Sequence, residues 1–118
     1  MGEKMASIEV PKESVDKIYE VIETAKTTGK IMKGTNETTK AIERGKAKFV
    51  AIAKDIDPAE IIMHIPVIAE EKDVPCFTVP SKEELGAAAG IQVGTGSVAV
   101  IEEGEAKNLI KQVLTQIK

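Results

Sequence analysis

The residues best suited to chemistry lie in one short segment, 33–40, with the sequence KGTNETTK. A glycine followed by polar residues is typical of a helix start, where free backbone N–H groups and the positive end of the helix dipole can hold a phosphate. Gly34 lets a nucleic-acid backbone come close, and Lys33, Lys40 and Arg44 add positive charge. This segment therefore predicts an anion-binding helix terminus.

Asn36 and Glu37 offer more than a phosphate requires. A guanine with a free Watson–Crick edge presents an N1–H donor and an O6 acceptor, and a carboxylate beside an amide can bind both. Such free edges occur in non-canonical RNA pairs. The alternative interpretation is structural: Thr35 or Asn36 caps the helix, and Glu37 complements its dipole. Composition alone favours the structural interpretation.

The elements that position this segment follow from hydrophobic periodicity and from glycine and proline signals. Helices are predicted at 11–28, 35–44, 81–90 and 105–117, and another begins at Asp57-Pro58 and is kinked or split by Pro66. Strands are predicted at 30–33, 48–53, 76–79 and 97–101. This alternation predicts an α/β fold, a three-layer α/β/α sandwich with a mixed sheet of about four strands, and one domain over residues 1–118.

The composition is that of an ordinary globular protein, with 42% hydrophobic and 30% charged residues. An aromatic content of only 3% argues against an RNA-binding sheet that stacks bases on exposed rings. The net charge of −3 argues against non-specific nucleic-acid binding, so RNA binding would need a local basic patch. Lys46 and Lys48 form a solvated turn near the 33–40 segment, close enough for a role in phosphate binding.

Other candidate residues predict no chemistry. The single Cys76 cannot close an intrachain disulfide, fits a reducing cytosolic setting, and is expected to pack as a small apolar residue. His64 lies in an apolar helix without a second ligand and is expected to be structural or exposed. No cofactor or zinc motif is present, residues 94–96 lack a phosphate-binding fingerprint, and no apolar run approaches the ~20 residues of a membrane span.

Residues 33–45, KGTNETTKAIERG, resemble the signature of archaeal large-subunit ribosomal proteins of the L7Ae family, which bind RNA kink-turns. The resemblance covers nearly the whole chain. It continues through residues 57–61 (DPAEI), 64–66 (HIP), 74–75 (VP), 81–82 (SK), 85–86 (LG) and 89–91 (AGI).

The resemblance implies a role for each matching position. Asn36 and Glu37 would contact the guanines of tandem sheared G·A pairs, Lys40 would hold the carboxylate and nearby phosphates in place, and Gly34 and Thr35 would lie against the RNA backbone. Three further positions, Asp57, Ile61 and Lys82, would surround a flipped-out nucleotide. A second RNA-contacting loop, Ile91-Gln92-Val93, would form an apolar wall. The following Gly94-Thr95-Gly96 is expected to be more flexible than the alanine-rich run of many relatives.

The resemblance also implies RNA and protein partners, and it is compatible with each of the particles in which the family occurs. It points to kink-turns in archaeal ribosomal RNA, in box C/D and H/ACA guide RNAs and in RNase P RNA, which takes part in tRNA processing. In the box C/D particle the protein partners would be the Nop-type scaffold and fibrillarin, which carries the methyltransferase activity. The chain itself would be a cytoplasmic RNA-binding protein, not an enzyme, without cofactor or membrane contact.

Two other functions fit the same sequence. One is the accessory RNA-binding module of an RNA-modifying enzyme. The lack of a cofactor motif and of an activated nucleophile argues against it. The other is a protein-interaction adaptor that has lost RNA binding. Asn36, Glu37 and Lys40 are all present, which counts against the adaptor.

Overall fold

The computed structural model describes the backbone of residues 8–9, 12–55 and 63–117, and side chains within 15–55 and 63–115. At its centre lies strand β3 (Phe49–Ala53), whose five apolar residues are all buried. Because successive side chains of a strand point to opposite faces, Phe49 and Ala51 enter one hydrophobic cluster while Val50 and Ile52 enter another. The sheet is therefore covered on both faces.

The sheet is mixed, as predicted. Its order is β1 (Ile8–Glu9), β4 (Cys76–Val79), β3, β5 (Ser97–Glu102) and β2 (Lys30–Lys33). Strands β1, β4 and β3 are parallel, whereas β5 is antiparallel to β3 and β2 is antiparallel to β5. Four strands match the predicted ones, and β1 adds a two-residue edge strand that the sequence did not predict.

Helices cover the two faces of the sheet unequally. One cluster contains buried residues of α1 (Lys12–Thr28), α4 (Lys82–Ala88) and α5 (Lys107–Ile117), and the other contains those of α2 (Thr35–Glu43) and α3 (His64–Glu71). The helical spacing of Val15, Ile18, Ile22 and Ala25 places all four on the buried side of α1. The predicted three-layer α/β/α sandwich is confirmed.

The element boundaries differ from the predictions by a few residues. Helix α5 begins at Lys107, after a 3₁₀ turn over Gly104–Ala106, instead of at residue 105. Pro66 is the third residue of α3, in the first turn, where its missing N–H breaks no helical hydrogen bond. The predicted helix start at Asp57-Pro58 lies outside the described residues. No helix in the described part of the chain is long and apolar enough to cross a membrane.

The chain segments that carry the predicted site lie together at one end of the sheet, at the carboxyl ends of β3 and β4. Strands β3 and β4 are parallel and end there, β2 also ends there, and the antiparallel β5 begins there. The starts of α2 and α4, which follow β2 and β4, are thereby brought to the same edge together with the loop before β5.

Candidate nucleic-acid interface

The start of α2 is open to ligands. Gly34 is its N-cap, with φ 97° and ψ 156°, and in the described part of the chain no side-chain hydrogen bond caps the first turn. The positive φ favours glycine at this position. The structural alternative is therefore wrong in making Thr35 or Asn36 the cap, whereas its other part stands, since Glu37 lies in the first turn, where it complements the helix dipole. Asn36 and Glu37 are exposed, so their side chains and the first-turn N–H groups remain accessible.

The α2 start is tied to the loop that precedes β5, residues 91–96, which we call the 91–96 loop. The Gly34 N–H donates to the Ser97 carbonyl at 2.9 Å, and the Thr95 hydroxyl donates to the same carbonyl at 3.1 Å. The Thr95 N–H in turn donates to the Lys82 carbonyl at 3.1 Å. Two backbone hydrogen bonds and the Thr95 hydroxyl thus connect the α2 start, the 91–96 loop and the first turn of α4, with the Ser97 carbonyl as the shared acceptor.

The 91–96 loop is packed closely on α4. The Ile91 N–H donates to the Gly86 carbonyl at 3.0 Å. A Cβ atom on Gly86 would lie only 2.3 Å from the Val93 carbonyl oxygen, so the loop backbone occupies the space that a side chain would need. Val93 itself is 71% exposed. The loop is therefore anchored near both ends and presents an apolar side chain at its tip, despite the glycines at 94 and 96.

The start of α4 is capped twice. Ser81 Oγ accepts from the Glu84 N–H at 3.2 Å, which is one of the two hydrogen bonds of a capping box, a motif whose spacing the segment 81–84 has. Asp55 Oδ1 accepts from the Lys82 N–H at 2.8 Å and so joins the segment after β3 to this helix. The sequence analysis missed Asp55; the signal available was a carboxylate directly after a buried strand. Because both caps hold the α4 start, the position of Lys82 is fixed at its backbone.

The predicted site residues can now be placed. Lys33 is exposed at the end of β2, and Lys40 and Arg44 are exposed on α2 and beyond its last turn. Lys82 and residues 91–93 lie on the segments bonded to the α2 start. Asp57 and Ile61, predicted to surround a flipped-out nucleotide, lie outside the described residues.

His64 and Cys76, the two other candidates from the sequence, have structural surroundings. His64 Nε2 and Thr39 Oγ1 are 2.8 Å apart, so a hydrogen bond joins α3 to α2. Burial raises the pKa of the Cys76 thiol to about 12, which keeps it protonated and unreactive. Within the described ranges no group of three His, Cys, Asp or Glu side chains is arranged to hold a metal ion.

The chain as a whole is similar to known proteins. A family model described as "Ribosomal protein L7Ae/L30e/S12e/Gadd45 family" matches residues 16–110, most of the chain. The chain belongs to this family. The resemblance inferred from the 33–45 segment is thereby confirmed.

A solved structure of the "Giardia lamblia 15.5kD RNA binding protein" is also similar to this L7Ae-family chain. The two share 28% sequence identity, with a TM-score of 0.86 over 98% of this chain and 97% of that chain. The mixed α/β fold is therefore common to both proteins over their whole lengths.

Proposed function

We propose that this L7Ae-family protein binds RNA kink-turns and stabilises the bent form by binding it in preference to the extended one. RNA binding is supported by the family and by the name of the similar Giardia protein. The kink-turn as target is supported by one structural observation above all: Asn36 and Glu37 stand exposed at a helix start that no side chain caps.

The chemistry of this helix start favours guanine over a simple phosphate. A phosphate needs only N–H donors and positive charge, and the carboxylate of Glu37 would repel it. The guanine of a sheared G·A pair leaves N1–H and O6 free, so Glu37 can accept from N1–H and Asn36 can donate to O6. Lys40, one turn along α2, is placed to offset the negative charge of Glu37 when RNA phosphates approach.

The remaining contacts extend from this point along the hydrogen-bonded segments. Gly34 and Thr35 would lie against the RNA backbone. Lys82 would act with Asp57 and Ile61 around a flipped-out nucleotide, usually uridine, by donating to a base carbonyl. The side chains of Ile91, Gln92 and Val93 would cover the kink, and the bonds from this loop to α4 support that role because they order its backbone before RNA arrives.

The cellular setting is proposed from the same family. The chain would act as a single cytoplasmic domain in the archaeal ribosome and as the primary RNA-binding subunit of box C/D particles, with H/ACA particles and RNase P as further settings. In box C/D particles a Nop-type scaffold and fibrillarin would be its protein partners. Chemistry would then belong to fibrillarin, and this chain would contribute RNA structure without catalysis.

The test is a titration of the protein into two labelled RNAs. One RNA contains a kink-turn, and the other has its G·A pairs replaced by Watson–Crick pairs. A pair of fluorophores on the two helices reports bending in the same experiment. We expect tight binding and bending of the first RNA alone.

Equal binding of both RNAs, or of neither, would contradict the proposal. Equal binding would mean that charge dominates recognition. No binding to either RNA would move the adaptor function to the front.

A further inference from the structure

A groove lies between α2 and the edge strand β2, and we call it the basic groove. Its volume is about 450 Å³, and its apolar surface comes from Met32, Ala41 and Ile101. Basic side chains from three separate segments surround it: Lys30, Lys40, Arg44, Lys46 and Lys48. Three of these lysines, at 30, 46 and 48, have no part in the guanine contacts proposed above.

The end of α2 builds this groove. Gly45 has φ 72°, its N–H donates to the Ile42 carbonyl at 3.0 Å, and the Lys46 N–H donates to the Ala41 carbonyl at 2.9 Å. These two bonds form a Schellman motif, which ends the helix and reverses the chain. The Lys48 N–H then donates to the Val100 carbonyl at 2.7 Å. Lys46 and Lys48 are thereby held at the backbone beside the helix that they follow.

The charge of the basic groove is opposite to that of the protein. Five basic residues against two acidic ones, Glu37 and Glu102, give it a net charge of +3. Since the chain carries −3, the rest of the molecule carries −6. All five basic residues are exposed, and within the described part of the chain none of them has an ion-pair partner. The groove therefore concentrates unpaired positive charge at one place on an acidic protein.

The groove is continuous with the α2 start. Glu37 and Lys40 line it and also belong to the segment proposed to contact guanine. An RNA held at Asn36 and Glu37 would therefore pass the groove with the strand that continues toward Lys40. Lysine side chains are flexible point charges that suit phosphate oxygens without selecting a base.

We propose that the basic groove binds the phosphate backbone of the RNA helix that flanks the kink, through Lys30, Lys46 and Lys48. This inference rests on the proposed function and adds a second contact region to it. The groove supplies affinity and orientation, whereas Asn36 and Glu37 supply the recognition of structure. The alternative occupant is an acidic peptide lying along β2, because it carries the same negative charge as the RNA backbone.

The experiment uses two sets of kink-turn RNAs that keep the G·A pairs. In one set the flanking helices are long, and in the other each helix in turn is shortened to the minimum that still pairs. Affinities are measured over a range of salt concentrations for the wild type and for the triple variant K30A/K46A/K48A. The control variant K17A/K107A/K111A removes the same number of charges from α1 and α5, where Lys107 and Lys111 are exposed and Lys17 is half-buried.

We expect the wild type to prefer one long-helix RNA over its shortened form, and we expect the triple variant to lose that preference. Its affinity for the long RNA should fall roughly 10- to 100-fold, and the slope of log affinity against log salt should become shallower by about 2, since each phosphate contact contributes roughly 0.7–0.9. The control variant should keep both the preference and the slope.

Two results would overturn the inference: a wild type indifferent to helix length, or equal losses in the triple and control variants. Binding of a polyglutamate peptide that depends on the three lysines, with RNA affinity unchanged, would assign the groove to a protein partner instead. Failure of the proposed function is distinguishable, because it appears as equal binding of kink-turn and Watson–Crick RNAs by the wild type. Circular dichroism of each variant confirms that it is folded.

Discussion

Two grooves of similar size lie on opposite faces of the sheet and carry opposite charge. The basic groove beside α2 has a volume of about 450 Å³, and an acidic groove between α1 and α4 has a volume of about 520 Å³. Among the described residues, the lining of the acidic groove contains four carboxylates and no basic side chain: Asp16, Glu20, Glu23 and Glu84. Size therefore does not distinguish the two grooves, but charge does.

Positive charge on this acidic protein is concentrated where the proposed RNA site lies. The net charge of −3 is the sum of +3 in the basic groove and −6 over the rest of the molecule, and the basic groove borders the α2 start. If the protein binds RNA as proposed, the acidic groove would repel phosphates and the basic groove would attract them, so an approaching RNA would be turned toward the α2 face before any contact forms. The acidic surface would then contribute to orientation without touching RNA.

The largest expected effect is the difference in RNA affinity between variants of two exposed glutamates, one beside each groove. Glu37→Ala should weaken binding of kink-turn RNA by about 1–3 kcal/mol, because the guanine N1–H loses its acceptor. Glu20→Ala, in the acidic groove, should leave affinity within about twofold, since it removes only a distant charge. Fluorescence titration measures both.

Equal affinities for the two glutamate variants would break the comparison. In that case Glu37 would serve only the helix dipole, and its removal would cost about 0.3–1 kcal/mol of stability without affecting RNA.

A second pair of variants uses neighbouring positions of α4 that face different surfaces. Gly86 lies against the 91–96 loop, whereas Ala87 lines the acidic groove. Gly86→Ala should displace the Val93 carbonyl and lower RNA affinity roughly tenfold, with a loss of about 1–3 kcal/mol in stability from overpacking. Ala87→Gly should cost about 0.5–1 kcal/mol of stability through helix propensity and leave RNA affinity unchanged.

Urea denaturation and RNA titration on the same samples separate stability from binding. If Gly86→Ala binds RNA as tightly as the wild type, the anchored loop is not part of the RNA interface.

The smallest expected effect is spectroscopic and concerns Tyr19, the only tyrosine in the chain. Burial, and then the negative charge of Glu84, raise the pKa of Tyr19 from 10.0 to about 12. Its contribution to stability is present below pH 10 and is lost as the pH rises toward 12, because the unfolded chain releases the proton first. Tyrosinate absorbance should therefore titrate near pH 12 in the folded protein.

Glu84→Gln provides the control for this titration. The substitution should lower the Tyr19 pKa but leave it above 10, since burial remains the larger cause. A midpoint near 10 in the wild type would contradict both causes of the raised pKa, and an unchanged midpoint in Glu84→Gln would mean that the negative charge of Glu84 has no effect on Tyr19.

Much of the fold was predictable because the relevant signals are local. The spacing of Val15, Ile18 and Ile22 specified a helix face, and a run of five apolar residues in β3 specified a buried strand. The capping of α4 by Ser81 followed from a motif only four residues long. The short strand β1 escaped prediction because two residues carry no periodicity.

The candidate site was only partly predictable. The KGTNETTK segment and its family resemblance identified the α2 start, and the structure adds that Gly34, not a polar side chain, caps it. Asp55 could not be assigned, because its partner Lys82 is 27 residues away in sequence. The bracing of the 91–96 loop by Gly86 escaped for the same reason: a close backbone contact leaves no pattern in the sequence.

Local signals were enough to predict the helices, the central strands and the polar run at the start of α2, since periodicity, capping and glycine placement act over a few residues. The grouping of charges on one surface depends instead on how distant segments pack. Lys30 meets Lys46 and Lys48 because β2 pairs with β5 and β5 pairs with β3. Such pairing is set by sheet register over long stretches of chain, and no local pattern of lysines records it.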